Sequence, residues 1–308
     1  MEIFSKVNEL KEYIAKQKEK NLCIGFVPTM GALHAGHLSL IKKAGEENDI
    51  VVCSIFVNPE QFNDPVDFQN YPRDLNLDIS KFKGIKCDAV FIPSVEEIYP
   101  KSDNPEQEPE LDFGFLDKIM EGQYRPGHFN GVVKVVRRLL NLVTPDNAYF
   151  GEKDFQQFLI IKKMVELLNI PVNIVSCAIV REYDGLAMSS RNALLNPLQR
   201  QKATFIHSTL RGAKQRKLMY SPLELRNWVI NEFENDDLLS LEYFEIVEAE
   251  TLKQISYWKN SIETIGCIAV KIGNVRLIDN IKFTEGSKLT NNAPKRKIKN
   301  YKRITSYL

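Results

Sequence analysis

The sequence predicts an α/β fold in which a parallel sheet carries helices on both faces, followed by a smaller α+β domain. Two observations lead to this prediction. In the first 180 residues, short apolar runs alternate with segments of helical period, a pattern typical of parallel sheets that are covered on both faces. After Arg181 the order changes to helices and then consecutive strands, which is typical of an α+β unit.

The elements of the first domain follow from their local patterns. Apolar runs predict strands over 22–27, 50–57, 88–93, 147–151 and 172–176. Amphipathic segments predict helices over about 36–47 and 75–82 and over 131–143 and 154–168, and the charged first twenty residues also have a helical period. The proline- and acid-rich stretch 101–114 predicts a surface loop.

The second domain is predicted to begin near Val180. Helices are expected near 197–213 and 221–236, and strands over 241–249, 265–272 and 274–281. We therefore expect one domain over residues 1–179, a small domain over 180–284 and a basic tail over 285–308.

Composition excludes several classes of protein. Hydrophobic residues make up 44% and charged residues 26% of the chain, as is usual for soluble proteins. No apolar run approaches the ~20 residues of a membrane helix, and the first residues lack the apolar core of a secretory signal. The five cysteines are scattered without a CxxC pair, which predicts buried thiols in a reducing compartment. We expect a cytoplasmic protein with no membrane partner.

Charge is distributed unevenly along the chain. The net charge is +1, but residues 285–308 carry seven basic residues against one acid, so the preceding residues carry about −5. An acidic body with a basic end is unlike a nucleic-acid-binding domain, whose basic residues usually form one face. We expect no nucleic-acid partner and a solvated, flexible tail, with a weak polyanion contact as the alternative.

The stretch PTMGALHAGHLSL (28–40) follows the first predicted strand, where ligands bind to open parallel sheets. Gly31 and Gly36 have the spacing of a P-loop, but His37 and Leu38 replace its lysine and hydroxyl residue. At a helix start, His34 and His37 would present imidazole N–H groups beside the backbone N–H groups that bind phosphate. The alternative is that the two histidines only cap the helix.

Three further patterns offer groups that can bind phosphate, hydroxyl or carboxylate groups. In GEKDFQQ (151–157), Lys153 is a compact positive charge at a predicted helix start, although Asp154 could simply cap that helix. In GLAMSSRN (185–192), two hydroxyls and Arg191 could close over a triphosphate, although such turns are common on surfaces. Gln61 and Gln157 could bind a hydroxyl and a carboxylate, although surface glutamine is the ordinary interpretation.

These motifs resemble a known family. The H-x-G-H pattern at a helix start resembles the nucleotidyltransferase superfamily and the class I aminoacyl-tRNA synthetases, which release pyrophosphate. Together with SIFVNPEQF (54–62), YPR (71–73), RPGHFNGV (125–132), FGEKDFQQ (150–157) and VREYDGLAMSSRN (180–192), it is similar to the pantoate–β-alanine ligase family. The motifs have that family's order, and RLIDNI (276–281) extends the similarity to about residue 284.

The resemblance implies a Rossmann-like nucleotide- and pantoate-binding domain with a small C-terminal lid. It implies ATP-dependent condensation of (R)-pantoate with β-alanine, giving (R)-pantothenate, AMP and diphosphate through pantoyl adenylate. It further implies Mg²⁺ and a homodimer. The alternative function is that of another HxGH nucleotidyltransferase that stops at nucleotidyl transfer, and a different class would be an RNA-binding or scaffold protein acting through the basic end.

The resemblance also implies specific residues. His37 is expected to be the proton donor, with His34 and Lys153 as further catalytic residues; pantoate is expected at Gln61 and Gln157, and β-alanine at Gln61. Asp78 is expected near Mg²⁺. ATP is expected to contact four segments: Met30, Gly31, Ala32, Leu33, His34, Ala35, Gly36 and His37; Gly151, Glu152, Lys153 and Asp154; Val180; and Met188, Ser189, Ser190 and Arg191.

Overall fold

The computed structural model describes residues 1–101, 109–234, 236–259 and 261–284 of the 308-residue chain. The predicted basic tail 285–308 and part of the predicted loop 101–114 lie outside the described residues. The other predicted elements fall within them, except for residue 235 of the helix predicted near 221–236.

Six parallel strands form the first sheet. They are β1 (Glu2–Phe4), β2 (Ile24–Thr29), β3 (Ile50–Ile55), β4 (Ala89–Phe91), β5 (Asn147–Gly151) and β6 (Asn173–Cys177), in the spatial order β1-β4-β3-β2-β5-β6. The fold class predicted from the sequence is therefore confirmed. Strand β1 was not predicted, because three half-exposed residues are too few to establish a pattern; it pairs in parallel with β4.

Helices cover both faces of this sheet. They are α1 (Val7–Glu19), α2 (Ala35–Glu47), α3 (Pro65–Asn70), α4 (Leu75–Lys81), α5 (Val95–Ile98), α6 (Glu121–Tyr124), α7 (His128–Val143) and α8 (Phe155–Leu167). Helix α7 begins at His128, three residues before its predicted start. Helices α1, α7 and α8 pack on one face of the sheet in a core that includes Phe26, and α2 packs on the other face beside Val27.

The C-terminal sheet is antiparallel. It consists of β7 (Leu239–Glu248), β8 (Thr264–Ile272) and β9 (Val275–Thr284) in that spatial order. Helices α9 (Pro197–Arg216) and α10 (Pro222–Phe233) cover one face. The other face packs against Met120 and Phe155 of the first part of the chain, so β9 lies close to the start of α8.

The sheet order places a switch point between β2 and β5. From β2 the chain proceeds to β3 and β4 on one side, whereas β5 and β6 lie on the other side. Strands β2 and β5 are neighbours and parallel, so the segments that follow Thr29 and Gly151 leave the sheet at the same edge. This is where open parallel sheets bind ligands, and both predicted histidines and Lys153 follow these two strand ends.

In the described part of the chain no helix is long and apolar enough to span a membrane. Four of the five cysteines are buried and Cys23 is partly buried, and the apolar runs that contain them account for this placement.

Candidate active site

His34 and His37 form a capping box at the start of α2. The backbone N–H of Gly36 donates to His34 Nδ1 at 3.1 Å, and the backbone N–H of His34 donates to His37 Nδ1 at 3.3 Å. These bonds satisfy N–H groups that a helix start otherwise leaves unpaired. The two rings lie 4.0 Å apart, centroid to centroid. The two histidines therefore do cap the helix, but capping uses only one nitrogen of each ring.

The capping bonds fix the tautomer of both rings. Since Nδ1 accepts a backbone hydrogen bond in each ring, a neutral ring carries its proton on Nε2. Burial, followed by the charge of Lys153, lowers the pKa of His34 to about 4. Burial also lowers the pKa of His37 well below 6.5, with smaller contributions from His34 and Lys153. Both rings are therefore neutral N–H donors at pH 7.

Gly36 is required by the geometry of this helix start. A Cβ at this position would lie 2.8 Å from Cε1 and 2.9 Å from Nδ1 of His34, closer than such atoms can approach. The absence of a side chain first makes room for the His34 ring, and with it for the capping box.

A cavity of about 210 Å³ lies at the switch point. Both histidines, Lys153 and the two predicted glutamines line its wall. Of the predicted residues it brings together Met30, His34, Gly36, His37, Gln61, Gly151, Lys153, Asp154, Gln157, Val180, Met188, Ser189, Ser190 and Arg191. Segments far apart in the sequence therefore meet at one place.

Five residues predicted to contact ATP do not line this cavity: Gly31, Ala32, Leu33, Ala35 and Glu152. Leu33 is buried in the core beneath α2, and the Glu152 carboxylate forms an ion pair with Lys282 at 3.2 Å.

Asp78 was expected near Mg²⁺, and the structure gives it another role. Its Oδ2 accepts the backbone N–H of Ala32 at 2.8 Å, and its Oδ1 accepts that of Leu33 at 2.7 Å. The residue is 2% exposed, and its carboxylate lies 3.8 Å from Lys81 Nζ. Its oxygens thus hold the turn that precedes the histidines. No group of three or more metal-ligating side chains occurs within the described ranges, so the side chains near Asp78 do not fit a protein-built Mg²⁺ site.

Gly31 lies in that same turn. Its φ of +77° belongs to the left-handed region, and a Cβ would come within 2.9 Å of Asp78 Oδ2. Glycine is therefore required here by the backbone conformation and by the close approach of the carboxylate.

The segment that contains Ser189, Ser190 and Arg191 folds over the cavity. Ser190 Oγ donates to the Ala32 carbonyl at 3.0 Å. The Arg191 guanidinium forms a bidentate pair with Asp67 at 3.1 and 2.8 Å. Both contacts link the segment to residues of the first part of the chain, Ala32 and Asp67.

Gln61 is positioned by a chain of hydrogen bonds that starts at α6. Arg125 lies 3.0 Å from His128 Nε2, and His128 Nδ1 lies 2.8 Å from the Gln61 carbonyl oxygen. A neutral His128 meets both partners when Nδ1 donates and Nε2 accepts. Burial, and next the charge of Arg125, lowers the pKa of His128 to about 4, in agreement with this state.

A buried carboxylate, that of Glu121, joins these hydrogen-bonded residues to the C-terminal sheet. Glu121 accepts two hydrogen bonds from Arg276 at 2.8 and 2.7 Å and one from Tyr243 at 2.7 Å, and lies 3.5 Å from Arg125. Burial alone would raise the pKa of Glu121, but its hydrogen bonds and charge interaction with Arg276 lower it to about 2. The cluster connects β7 and β9 to the start of α7.

The sequence did not reveal several residues of the site. Tyr71 and the apolar residues Phe56, Val132, Val135, Val136, Leu139 and Ala178 also line the cavity. The helical spacing of the α7 residues predicted a buried face, but it could not distinguish a cavity wall from the core. Arg276 lies in the RLIDNI stretch and Tyr243 in no quoted motif, and no local signal indicates the role of either.

Known proteins match the chain over nearly its whole length. The sequence model of the pantoate–β-alanine ligase family matches residues 2–282. A pantothenate synthetase of Porphyromonas gingivalis is 47% identical over 285 residues, covering 92% of this chain and all of that protein. One from Azobacteroides pseudotrichonymphae is 49% identical over 284 residues, with the same coverage of both chains.

Solved structures agree with these matches. The crystal structure of pantothenate synthetase from Thermus thermophilus is 40% identical, with a TM-score of 0.85, and the match covers 92% of this chain and all of that one. The pantoate–β-alanine ligase of Francisella tularensis, whose crystal structure is a complex with β,γ-ATP and β-alanine, is 38% identical, with a TM-score of 0.76 and coverage of 93% and 99%. On this evidence the chain belongs to the pantoate–β-alanine ligase family.

Proposed function

We propose that this chain joins (R)-pantoate to β-alanine in two steps at the switch-point cavity, with pantoyl adenylate as the intermediate. The observation that carries the proposal is the pair of capped histidines, both neutral and both protonated on Nε2, in one cavity with Lys153 and two glutamines. Family membership supports the overall ligation, and the geometry supports the division into steps.

In the first step, a carboxylate oxygen of pantoate attacks the α-phosphorus of ATP. The bond from this phosphorus to the oxygen that bridges to the β-phosphate breaks, and pyrophosphate leaves with the electron pair. His34 and His37 donate hydrogen bonds through Nε2, and Lys153 supplies a positive charge. Donors held in place before the reaction stabilise developing charge more effectively than water does.

The role of His37 as proton donor requires one refinement. A ring that is neutral at pH 7 first acts as a hydrogen-bond donor, because its lowered pKa leaves it without a second proton. The negative charge of bound ATP raises the pKa of nearby imidazoles. We therefore assign protonation of His37 to the ATP complex: the added proton goes to Nδ1, which then no longer accepts the His34 N–H, and the Nε2 proton passes to the leaving pyrophosphate.

In the second step, the amine of β-alanine attacks the acyl carbon of pantoyl adenylate. The bond between this carbon and the phosphate oxygen breaks, AMP leaves, and the new ammonium loses a proton to give the amide. Gln61 contacts pantoate and β-alanine, and Gln157 contacts pantoate. Amide side chains suit this purpose because they bind a hydroxyl and a carboxylate without acting as nucleophiles.

The segment around Ser189 acts as a lid. A cavity of about 210 Å³ is smaller than the roughly 300–1,000 Å³ typical of ligand pockets, so ATP must displace part of its wall. The Ser190–Ala32 and Arg191–Asp67 contacts are half-buried, and they are the ones that must open. When the lid closes on ATP, Ser189, Ser190 and Arg191 bind the phosphates and shelter the adenylate from water.

Three further parts of the proposal concern the setting of the reaction. ATP brings Mg²⁺ on its phosphates, as this ion commonly binds, rather than finding a ready site at Asp78. The cysteines, none of them in a disulfide in the described residues, suit a reducing compartment, and we place the enzyme in the cytoplasm. We propose a homodimer, which sedimentation would test.

An omission assay tests the proposed function. Pantothenate should form only when ATP, pantoate and β-alanine are all present, and exchange of pyrophosphate into ATP should require pantoate but not β-alanine. The competing function, nucleotidyl transfer without ligation, predicts no dependence of AMP release on β-alanine. That result, or exchange without pantoate, would contradict the two-step scheme.

A further inference from the structure

We infer that Asn280, in β9 of the C-terminal sheet, is a positioning residue that holds Lys153 for the adenylation step. This inference rests on the proposed function, in which Lys153 meets the phosphates of ATP. Residue 280 is far in sequence from the segments that line the cavity, and only the fold brings it near them.

Asn280 binds the backbone of the turn that carries Lys153. Its side-chain Nδ2 donates to the carbonyl oxygen of Glu152 at 2.8 Å and to that of Lys153 at 3.1 Å. The residue is 4% exposed, so water does not compete for these bonds. Two donors from one amide to consecutive carbonyl oxygens restrict the rotation of the peptide that joins Glu152 to Lys153.

The amide is itself fixed by the strand around it. The Asn280 backbone N–H donates to Asp279 Oδ1 at 2.7 Å, and the Asn280 carbonyl accepts from Arg181 at 3.2 Å. Arg181 also forms a bidentate pair with Asp279 at 2.6 and 3.0 Å. Asn280 thus contacts the turn that carries Lys153 with its side chain and Arg181 with its backbone carbonyl.

Asparagine suits this position for a chemical reason. Aspartate has the same shape but offers only acceptors to the two carbonyl oxygens, and leucine fills the space without any donor. A displacement of about 1 Å at a positioning group can reduce a rate by roughly 10², so loss of these two bonds should matter although Asn280 does not line the switch-point cavity.

The test is a double-mutant cycle with Lys153. Asn280→Asp should lower the pantoate-dependent exchange of pyrophosphate into ATP by about ten- to a hundredfold per folded protein, with an unchanged KM for β-alanine. In a Lys153→Ala background the same substitution should lower exchange less than threefold, because Asn280 acts through Lys153. Lys282→Gln is the matched control. It removes a different contact between β9 and this turn, the ion pair of Lys282 with the Glu152 side chain. The rate of pyrophosphate exchange in this variant should stay within twofold of wild type.

Each outcome has a definite meaning. A wild-type rate of pyrophosphate exchange in Asn280→Asp overturns the inference and leaves the role of Lys153 intact. So does a loss of exchange that is equally large in the wild-type and Lys153→Ala backgrounds. Full exchange in Lys153→Ala overturns both the inference and the proposed role of Lys153. Thermal unfolding of every variant separates loss of fold from loss of position, and Asn280→Ala, which removes the donor without adding charge, replaces Asn280→Asp if that variant unfolds.

Discussion

Replacing His37 by alanine should separate two functions of one side chain. The ring caps helix α2 through Nδ1 and, in the proposed mechanism, donates to phosphate through Nε2. Alanine removes both groups. The two losses appear in different measurements, because capping contributes to folding and donation contributes to the rate of adenylation.

The structure sets the size of each loss. The capping bond from the His34 N–H is 3.3 Å long, longer than the usual 2.9–3.0 Å, so its removal should cost about 0.5–1 kcal/mol, at the lower end of the range for helix caps. A donor that stabilises charge in the transition state is worth about 10²–10³ in rate, or roughly 2.7–4 kcal/mol. The rate should therefore suffer much more than stability.

Pantoate-dependent exchange of pyrophosphate into ATP measures the loss of rate, and urea unfolding measures the loss of stability. His37→Gln is the matched control, since glutamine at the third helical position can restore the capping box while its amide lies at a different place from Nε2. We expect wild-type stability and a partial rate in this variant. Exchange within threefold of wild type in His37→Ala would refute the reasoning, as would a loss of stability large enough to leave little folded protein.

Two other predictions concern neighbouring groups. Asp67→Asn removes the carboxylate that pairs with Arg191 in the ligand-free structure. Because a partly exposed pair contributes about 1 kcal/mol or less, the KM for ATP should fall up to fivefold. The control Glu60→Gln, which breaks an ion pair with Lys134, should leave this KM unchanged. A KM that stays constant or rises in Asp67→Asn would contradict the exchange of Asp67 for phosphate. Burial lowers the pKa of His128 to about 4, so between pH 6.5 and 4 this side chain binds a proton in the unfolded chain but not in the folded one. The contribution of His128 to the free energy of unfolding is therefore fully present above pH 6.5, and it falls by up to about 3 kcal/mol as the pH drops to 4. Unfolding of His128→Gln between pH 7 and 4.5 should show a shallower decline, and an unchanged decline would contradict a neutral His128.

The sequence predicted the sheet and most of the elements because buried strands and amphipathic helices have local patterns. The exceptions have local causes too. Strand β1 is short and half-exposed, and α7 begins at His128 because the residue before it, Gly127, takes up the non-helical conformation at the helix start. Hydrophobic periodicity, from which the elements were predicted, marks neither feature.

The site was predicted less completely, because the sequence does not show which atoms each polar side chain binds. Spacing placed His34 and His37 at a helix start, but it could not show that each Nδ1 binds the backbone and so determines which nitrogen carries the proton. The family resemblance implied a metal near Asp78, whereas its oxygens hold two backbone N–H groups of a turn about 45 residues earlier. The role of Asn280 has no local signal, because the partners of its side chain are backbone atoms.

The charged groups around the cavity divide into permanent and exchangeable pairs. The Glu121–Arg276 pair is bidentate, with side chains only 8% and 18% exposed. Removing one partner would leave an unpaired buried charge, which costs several kcal/mol, so an incoming phosphate cannot displace Glu121. This pair joins α6 to β9 of the C-terminal sheet, and we expect it to stay closed during the reaction.

The pairs of Lys153 and Arg191 have the opposite character. Asp154 lies 3.7 Å from Lys153 with its side chain 48% exposed, and Asp67 beside Arg191 is 30% exposed. Both carboxylates can return to water at little cost when a phosphate takes their place. The two cations are therefore neutralised in the ligand-free protein and become available only to a ligand with more negative charge than a single carboxylate. A triphosphate meets this condition and pantoate alone does not, which favours ATP as the ligand that releases Arg191 from Asp67 and, in the proposed mechanism, recloses the lid.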